Sequence, residues 1–220
     1  MKQWIKIERI PSLLASAYIK ATRLVIDSYY RPVAEEIVSH MNKGLILDLG
    51  TGPGYLPVEI VKKAPGINII GIDLSRKLIK VARTNAESAG FDHQLTFKVG
   101  DSAKLQFEDD SFDMVISTGM LHSIKNPGDV FREIYRVLKN GGQAWVYDPV
   151  NLNSLHKKKE WKASLAFHEK CFLWLFTRLK IHQPAKPLSS QKIRSIIEAT
   201  DFKDYQIADL KEEVRIKMKK

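Results

Sequence analysis

Leu47-Asp48-Leu49-Gly50-Thr51-Gly52-Pro53-Gly54-Tyr55 carries a short apolar run, which begins at Leu45, straight into a glycine-rich turn and the start of a helix. Glycines at such a turn let the backbone come close to a ligand, because they lack the Cβ that would clash or forbid the dihedrals. The helix that follows offers unpaired N–H groups at its first turn. The spacing is Gly-x-Gly-x-Gly. A dinucleotide fingerprint would place its third glycine at position 55, where Tyr55 stands, and a phosphate-binding P-loop would end in Gly-Lys-Ser/Thr. Asp48 sits just ahead of the glycines, where its charge would repel a pyrophosphate. It suits instead a nucleoside with a cationic tail.

Outward from this turn the chain alternates between strand and helix. Leu56 to Lys63 reads as a helix, Ile67 to Ile72 as a second strand, and Ser75 as the N-cap of a helix closed by Gly90. Leu95 to Val99, Phe112 to Ser117 and Gln143 to Asp148 read as further strands, with a helix over Asp129 to Leu138 before Gly141 and Gly142. This alternation implies βαβ units and a mostly parallel, doubly wound sheet. Ahead of it, Pro11 to Met41 reads as two helices, with Tyr29 and Tyr30 at their junction. Behind it, Trp161 to Leu179 reads as one helix, broken by Pro184 and Pro187. Ser189 or Ser190 then caps another helix, and two strands follow near Tyr205–Ala208 and Val214–Met218. The late hairpin adds an antiparallel edge.

Two more carboxylates fall at strand ends. Asp73 ends the second strand about 20 residues past the last glycine, where an acid accepts hydrogen bonds from ribose hydroxyls in open α/β nucleoside sites. Asp101, after the third strand, is placed to accept from an adenine amino group. Three carboxylates at the ends of three successive strands converge on the sheet's carboxyl edge.

Composition sets the outer limits. The chain has 220 residues with 44% hydrophobic and 27% charged, ordinary for one globular domain. No apolar run is long enough for a transmembrane helix, and the first residues lack the apolar centre of a signal peptide, so a cytoplasmic protein is expected. Cys171 is the only cysteine, which excludes an intrachain disulfide and a cysteine metal cage. The scattered histidines give no metal-ligand spacing. The net charge is +10, and residues 151–220 supply most of it, with 16 Lys and Arg against 8 Asp and Glu. Such a tail suits nucleic acid, an acidic membrane surface, an anionic substrate or simply a solvated surface.

The ordered set Leu47–Tyr55, Gly71-Ile-Asp73-Leu-Ser75, Val99-Gly-Asp101-Ser102, Phe112–Ser117 and Phe131–Gly142 resembles the class I S-adenosylmethionine-dependent methyltransferases. The branch it looks like is that of ubiquinone/menaquinone-biosynthesis and small-molecule enzymes. The resemblance covers residues 40–150 and implies a Rossmann-like, seven-stranded, mostly parallel sheet ending in a reversed hairpin strand. It implies a domain over 41–220, with an inserted cap helix at about 155–182 and residues 1–40 as a helical lid. It implies S-adenosylmethionine as cofactor. Asp48, Gly50, Thr51, Gly52 and Gly54 would hold its methionine part, and backbone groups of Ser117 and Thr118 would lie near the ammonium. Asp73 would bind the ribose, Leu74 would face the adenine, and Asp101 and Ser102 would read the adenine edge.

Methyl transfer is an in-line displacement on an activated electrophile, so positioning and water exclusion can supply much of the rate. Where the acceptor arrives protonated a base is needed. His122 is the candidate, on a loop that lines the cleft in this family; its other reading is a packing histidine. Tyr18, Tyr30, Met120, Asn151 and His168 are the candidate acceptor-lining residues. The expected acceptor is a small apolar or amphiphilic molecule, with the Phe172–Phe176 segment as a cap or a shallow membrane contact. Two alternatives stand beside this. The basic tail suits a nucleic-acid methyltransferase, although the loop after the fourth strand reads Ser-Thr-Gly-Met and lacks an Asp/Asn-Pro-Pro-Tyr/Phe motif. A non-catalytic cofactor-binding protein would keep the same carboxylates.

Overall fold

The computed structural model describes residues 12–149, 188–210 and 213–220, together with residues 163, 167 and 170. Helix α1 spans Ser12–Leu24, a π-helical turn Ile26–Tyr30, and α2 Arg31–His40. Strand β1 (Lys43–Leu49) leads to α3 (Tyr55–Val61), β2 (Gly66–Asp73) to α4 (Arg76–Ala89), and β3 (Leu95–Val99) to β4 (Phe112–Thr118). A 3-10 turn at Leu121–Ser123 precedes α5 (Pro127–Val137) and β5 (Leu138–Pro149). Then come α6 (Ser190–Glu198), β6 (Asp204–Asp209) and β7 (Glu213–Lys219).

The seven strands lie in the order β3-β2-β1-β4-β5-β7-β6. β1 pairs in parallel with β2 and β4, β2 with β3, and β4 with β5. β7 runs antiparallel to both β5 and β6. The last strand is therefore wedged between β5 and β6, and it alone is reversed.

Alternation along the strands builds two cores, one on each face. Ile46, Met114, Trp145 and Tyr147 face α2, α3 and α4. Leu47, Leu49, Val115, Ala144 and Val146 face α5 and α6, through Phe131, Ile134, Ile193 and Ile197. α2 is part of the first core, since Val33, Ala34 and Ile37 are buried in it. Glu36 on the same helix pairs with Arg215 (3.2 Å) and Lys217 (2.8 Å) of β7.

The local signals explain most boundaries. Ser75 caps α4, its hydroxyl accepting from the Leu78 N–H, and Gly90 closes the helix at φ +77°. Ser189, rather than Ser190, caps α6. Pro127 starts α5 two residues ahead of the expected Asp129, because proline suits a first helical turn. β5 begins at Leu138, ahead of the expected Gln143: Leu138 already pairs with Phe112, and the ladder shifts register before Met114 pairs with Gln143. The expected cap helix at about 155–182, with the Trp161–Leu179 reading, falls outside the described residues apart from the three isolated ones. Among the described residues, no helix is long and apolar enough to cross a membrane.

Candidate functional site

The glycine turn is held from three sides. The Thr51 N–H donates to the Ile72 carbonyl (2.9 Å) and the Gly52 N–H to Asp73 Oδ2 (3.1 Å), so the ends of β1 and β2 are tied together. Asn85 Nδ2, on α4, donates to the Pro53 carbonyl (2.8 Å). Gly50 and Gly54 lie at φ +71° and +75°. A Cβ on Gly50 would come within 2.9 Å of Met120 Sδ, and one on Gly54 within 2.9 Å of the Phe97 ring. Both need glycine for conformation and for room. Tyr18, on α1, covers the other side of the turn, its ring 3.6 Å from where a Gly52 Cβ would stand.

A cavity of about 250 Å³ opens at the carboxyl ends of β1, β2 and β3. Gly50, Ile72, Asp73, Leu74, Asp101 and Ser102 line one side, and Met120, Ile124 and Lys125 the other. Asp73 Oδ1 accepts from the Ser75 N–H (2.7 Å). Asp101 Oδ1 accepts from the Ala103 N–H (2.9 Å), which fixes that carboxylate at the rim.

Asp48 stands behind the turn, 1% exposed, and its Oδ1 has no hydrogen-bond partner among the described residues. Burial pushes its pKa up to about 7; Thr51 opposes the shift and Asp73 adds to it. A buried carboxylate of this kind takes a proton or a cation. Burial also raises the Tyr18 and Tyr30 hydroxyls, with Asp48 contributing to both. The donor set thus fits a ligand with a nucleoside at the Asp73–Asp101 side and positive charge toward Asp48.

A second polar group lies at the ends of β5 and β7. His122 Nδ1 is 3.0 Å from Asp148 Oδ1, and the two side chains are 17% and 4% exposed. Glu213, at the start of β7, stands opposite Pro149 in the ladder, and its neighbour Val214 stands opposite Asp148. Arg215 holds Glu213 Oε1. Glu213 Oε2 and the buried Tyr29 hydroxyl have no hydrogen-bond partner among the described residues. Burial raises the Tyr29 pKa well above its usual value, with Glu213 and Asp148 adding to it.

The structure therefore brings Gly50, Asp73, Leu74, Asp101, Ser102 and Met120 to one cavity. It does not place Asp48, Thr51, Ser117 or His122 on the cavity wall. Ser117 is buried, and its hydroxyl donates to the Leu49 carbonyl (3.0 Å). Thr118 ends β4, and the Gly119 N–H after it is taken by the Tyr147 carbonyl (2.8 Å). Tyr30 packs beside Tyr55, with ring centroids 6.4 Å apart. Asn151 and His168 lie outside the described residues. Sequence reasoning missed Asp148, Glu213 and the Ile124–Asp129 wall. For Asp148 the available signal was an acid closing a strand beside the histidine loop. The basic tail is partly neutralised within the molecule: Arg215, Lys217 and Lys220 pair with Glu213, Glu36 and Asp110, and Lys217 Nζ stands 3.7 Å from the Trp145 ring centre.

A family model described as a methyltransferase domain matches residues 40–207. The chain is 26% identical over 147 residues to a ubiquinone/menaquinone biosynthesis C-methyltransferase of Geotalea daltonii, covering 65% of this chain and 63% of that protein. It thus spans just under two thirds of that relative's length. It is 34% identical over 128 residues to a sterol 24-C-methyltransferase of Aspergillus fumigatus, covering 56% of this chain and 34% of that protein. Among solved structures, a Methanococcus maripaludis protein provisionally assigned as an S-adenosyl-L-methionine-dependent methyltransferase superposes with a TM-score of 0.73. That match has 22% identity and covers 100% of this chain and 97% of that one. At such identity the likeness is one of fold.

Proposed function

Because the chain belongs to the methyltransferase-domain family, we propose that it moves a methyl group from S-adenosylmethionine to a small, apolar or amphiphilic acceptor by in-line displacement. The observation that carries this reading is the set of three carboxylates, Asp48, Asp73 and Asp101, at successive strand ends around a glycine turn with no room for a Cβ at Gly50. The curated relatives are named for quinone and sterol methylation, which supports an apolar acceptor.

When bound, the cofactor supplies an electrophilic sulfonium methyl. The rest falls to the chain. Asp73 accepts from the ribose hydroxyls, with its carboxylate already oriented by the Gly52 and Ser75 N–H groups. Leu74, Met120 and Ile124 form the apolar walls against the adenine, and Asp101 and Ser102 read its edge. Asp48 faces the ammonium, with the backbone of Gly50, Thr51, Gly52 and Gly54 around the methionine part and Ser117 and Thr118 beside it. Of the lid expected over residues 1–40, α1 and the π-helical turn serve that role, since α2 packs into the core, and Tyr18 and Tyr30 exclude water from the turn. His122 acts as base: Asp148 accepts from Nδ1–H, which leaves Nε2 to take a proton from the acceptor.

Titration calorimetry with S-adenosylmethionine, S-adenosylhomocysteine and NAD tests the reading. The first two should bind at micromolar concentration and NAD should not. NAD binding alone, or no binding, would overturn it. Once an acceptor is in hand, His122→Ala should lose turnover while keeping cofactor affinity; unchanged turnover would assign His122 to packing.

A further inference from the structure

We propose that Tyr29 and Glu213 anchor the methyl acceptor by binding a hydrogen-bond-donating group on it, a hydroxyl or an ammonium. This rests on the methyl-transfer reading and deepens it. β7 is antiparallel, so its first residue arrives at the carboxyl end of the sheet, the same end as the glycine turn. Glu213 is thereby set next to the Asp148–His122 pair, on the side away from the Asp73–Asp101 cavity.

Glu213 is only 7% exposed, yet its Oε2 lacks a partner among the described residues, and so does the Tyr29 hydroxyl facing it. Buried polar atoms are almost always partnered, and an exception calls for a specific cause, such as a catalytic role or a bound group that completes it. The Tyr29 hydroxyl is close enough to Glu213 to turn its proton toward the carboxylate, and a donor on the acceptor would then bridge the lone pairs that both oxygens keep free. The carboxylate is also pre-set. Arg215 holds its other oxygen and is itself held by Glu36, so the acid is oriented and its charge is balanced.

Tyr29 is delivered by an unusual backbone. The N–H groups of Tyr29 and Tyr30 both reach the Val25 carbonyl (2.9 and 3.3 Å) in the π-helical turn. Such turns are rare and concentrate at functional sites. Here the turn sends consecutive tyrosines to different neighbours: Tyr30 packs beside Tyr55 at the start of α3, whereas the Tyr29 hydroxyl lies by Glu213.

The test uses the full chain saturated with S-adenosylhomocysteine and three probes of one shape. They are 2-naphthol (hydroxyl donor), 2-naphthylmethylamine (ammonium donor) and 2-methoxynaphthalene (no donor), all substituted at the same ring position. At least one donor probe should bind roughly tenfold or more tightly than the methoxy control. Glu213→Gln and Tyr29→Phe should each remove most of that preference while leaving S-adenosylhomocysteine affinity unchanged. A preference for the amine over the naphthol would identify an ammonium acceptor, and the reverse a hydroxyl acceptor. Equal binding of all three probes, no probe binding, or a preference surviving both substitutions would overturn the proposal. Should Glu213→Gln fail to fold, Tyr29→Phe decides alone. Failure of the wild type to bind S-adenosylhomocysteine would instead sink the underlying reading.

Discussion

Burial disfavours the ionised form of Asp48, and that has a measurable sign. Its folded pKa, pushed up to about 7, lies above the unfolded value of about 4. Its contribution to stability is therefore fully present below about pH 4 and is lost as the pH rises through about 7. In denaturation experiments Asp48→Asn should gain on the wild type across that window, by an amount on the order of a few kcal/mol. Cofactor affinity should move the other way. S-adenosylmethionine, whose ammonium favours the ionised acid, should bind the wild type more tightly as the pH rises toward 7, and Asp48→Asn should flatten that dependence. Asp73 differs because it is already oriented by two N–H groups. Asp73→Ala should weaken cofactor binding by about 1–3 kcal/mol, read by calorimetry, through loss of charge-assisted hydrogen bonds. An unchanged affinity would remove Asp73 from the ribose site.

At the scale of elements, the turn after β1 depends on left-handed backbone. Gly52→Val would force a β-branched residue to φ +55° with Tyr18 alongside. Cofactor binding should be abolished in calorimetry, while circular dichroism reports a folded chain. Ser75→Ala, which removes the cap of α4, should cost about 1 kcal/mol in urea denaturation. These elements were legible in the sequence because their signals are local: a serine ahead of a periodic run, a glycine closing a helix, an acid at a strand end. The π-helical turn was not, since five residues carry no period of their own. Nor was the Asp148–His122 pair, which spans 26 residues and exists only because β4 and β5 lie side by side. Glu213 was hidden for a related reason. It lies one residue ahead of the strand expected at Val214–Met218, and only the insertion of β7 next to β5 turns it into a buried acid.

At the scale of the molecule, a ligand that binds only the folded chain raises its melting temperature. S-adenosylhomocysteine at about 100 times its dissociation constant adds about 2.7 kcal/mol. For a domain of this size that corresponds to a rise of roughly 5–10 °C, and scanning calorimetry should show none with NAD. Among the described residues, the open sheet also leaves two strands, β3 and β6, with one side unpaired. Each is short, and each carries charge where another chain would have to approach: Lys98 on β3, and Asp204 and Asp209 on β6, all exposed. Unpaired edges invite strand addition between molecules, and short charged edges discourage it. The same order that sets a single reversed strand beside the cleft thus leaves guarded borders, which favours a chain that stays dispersed when concentrated. Replacing Lys98, Asp204 and Asp209 together by valine should bring on concentration-dependent light scattering.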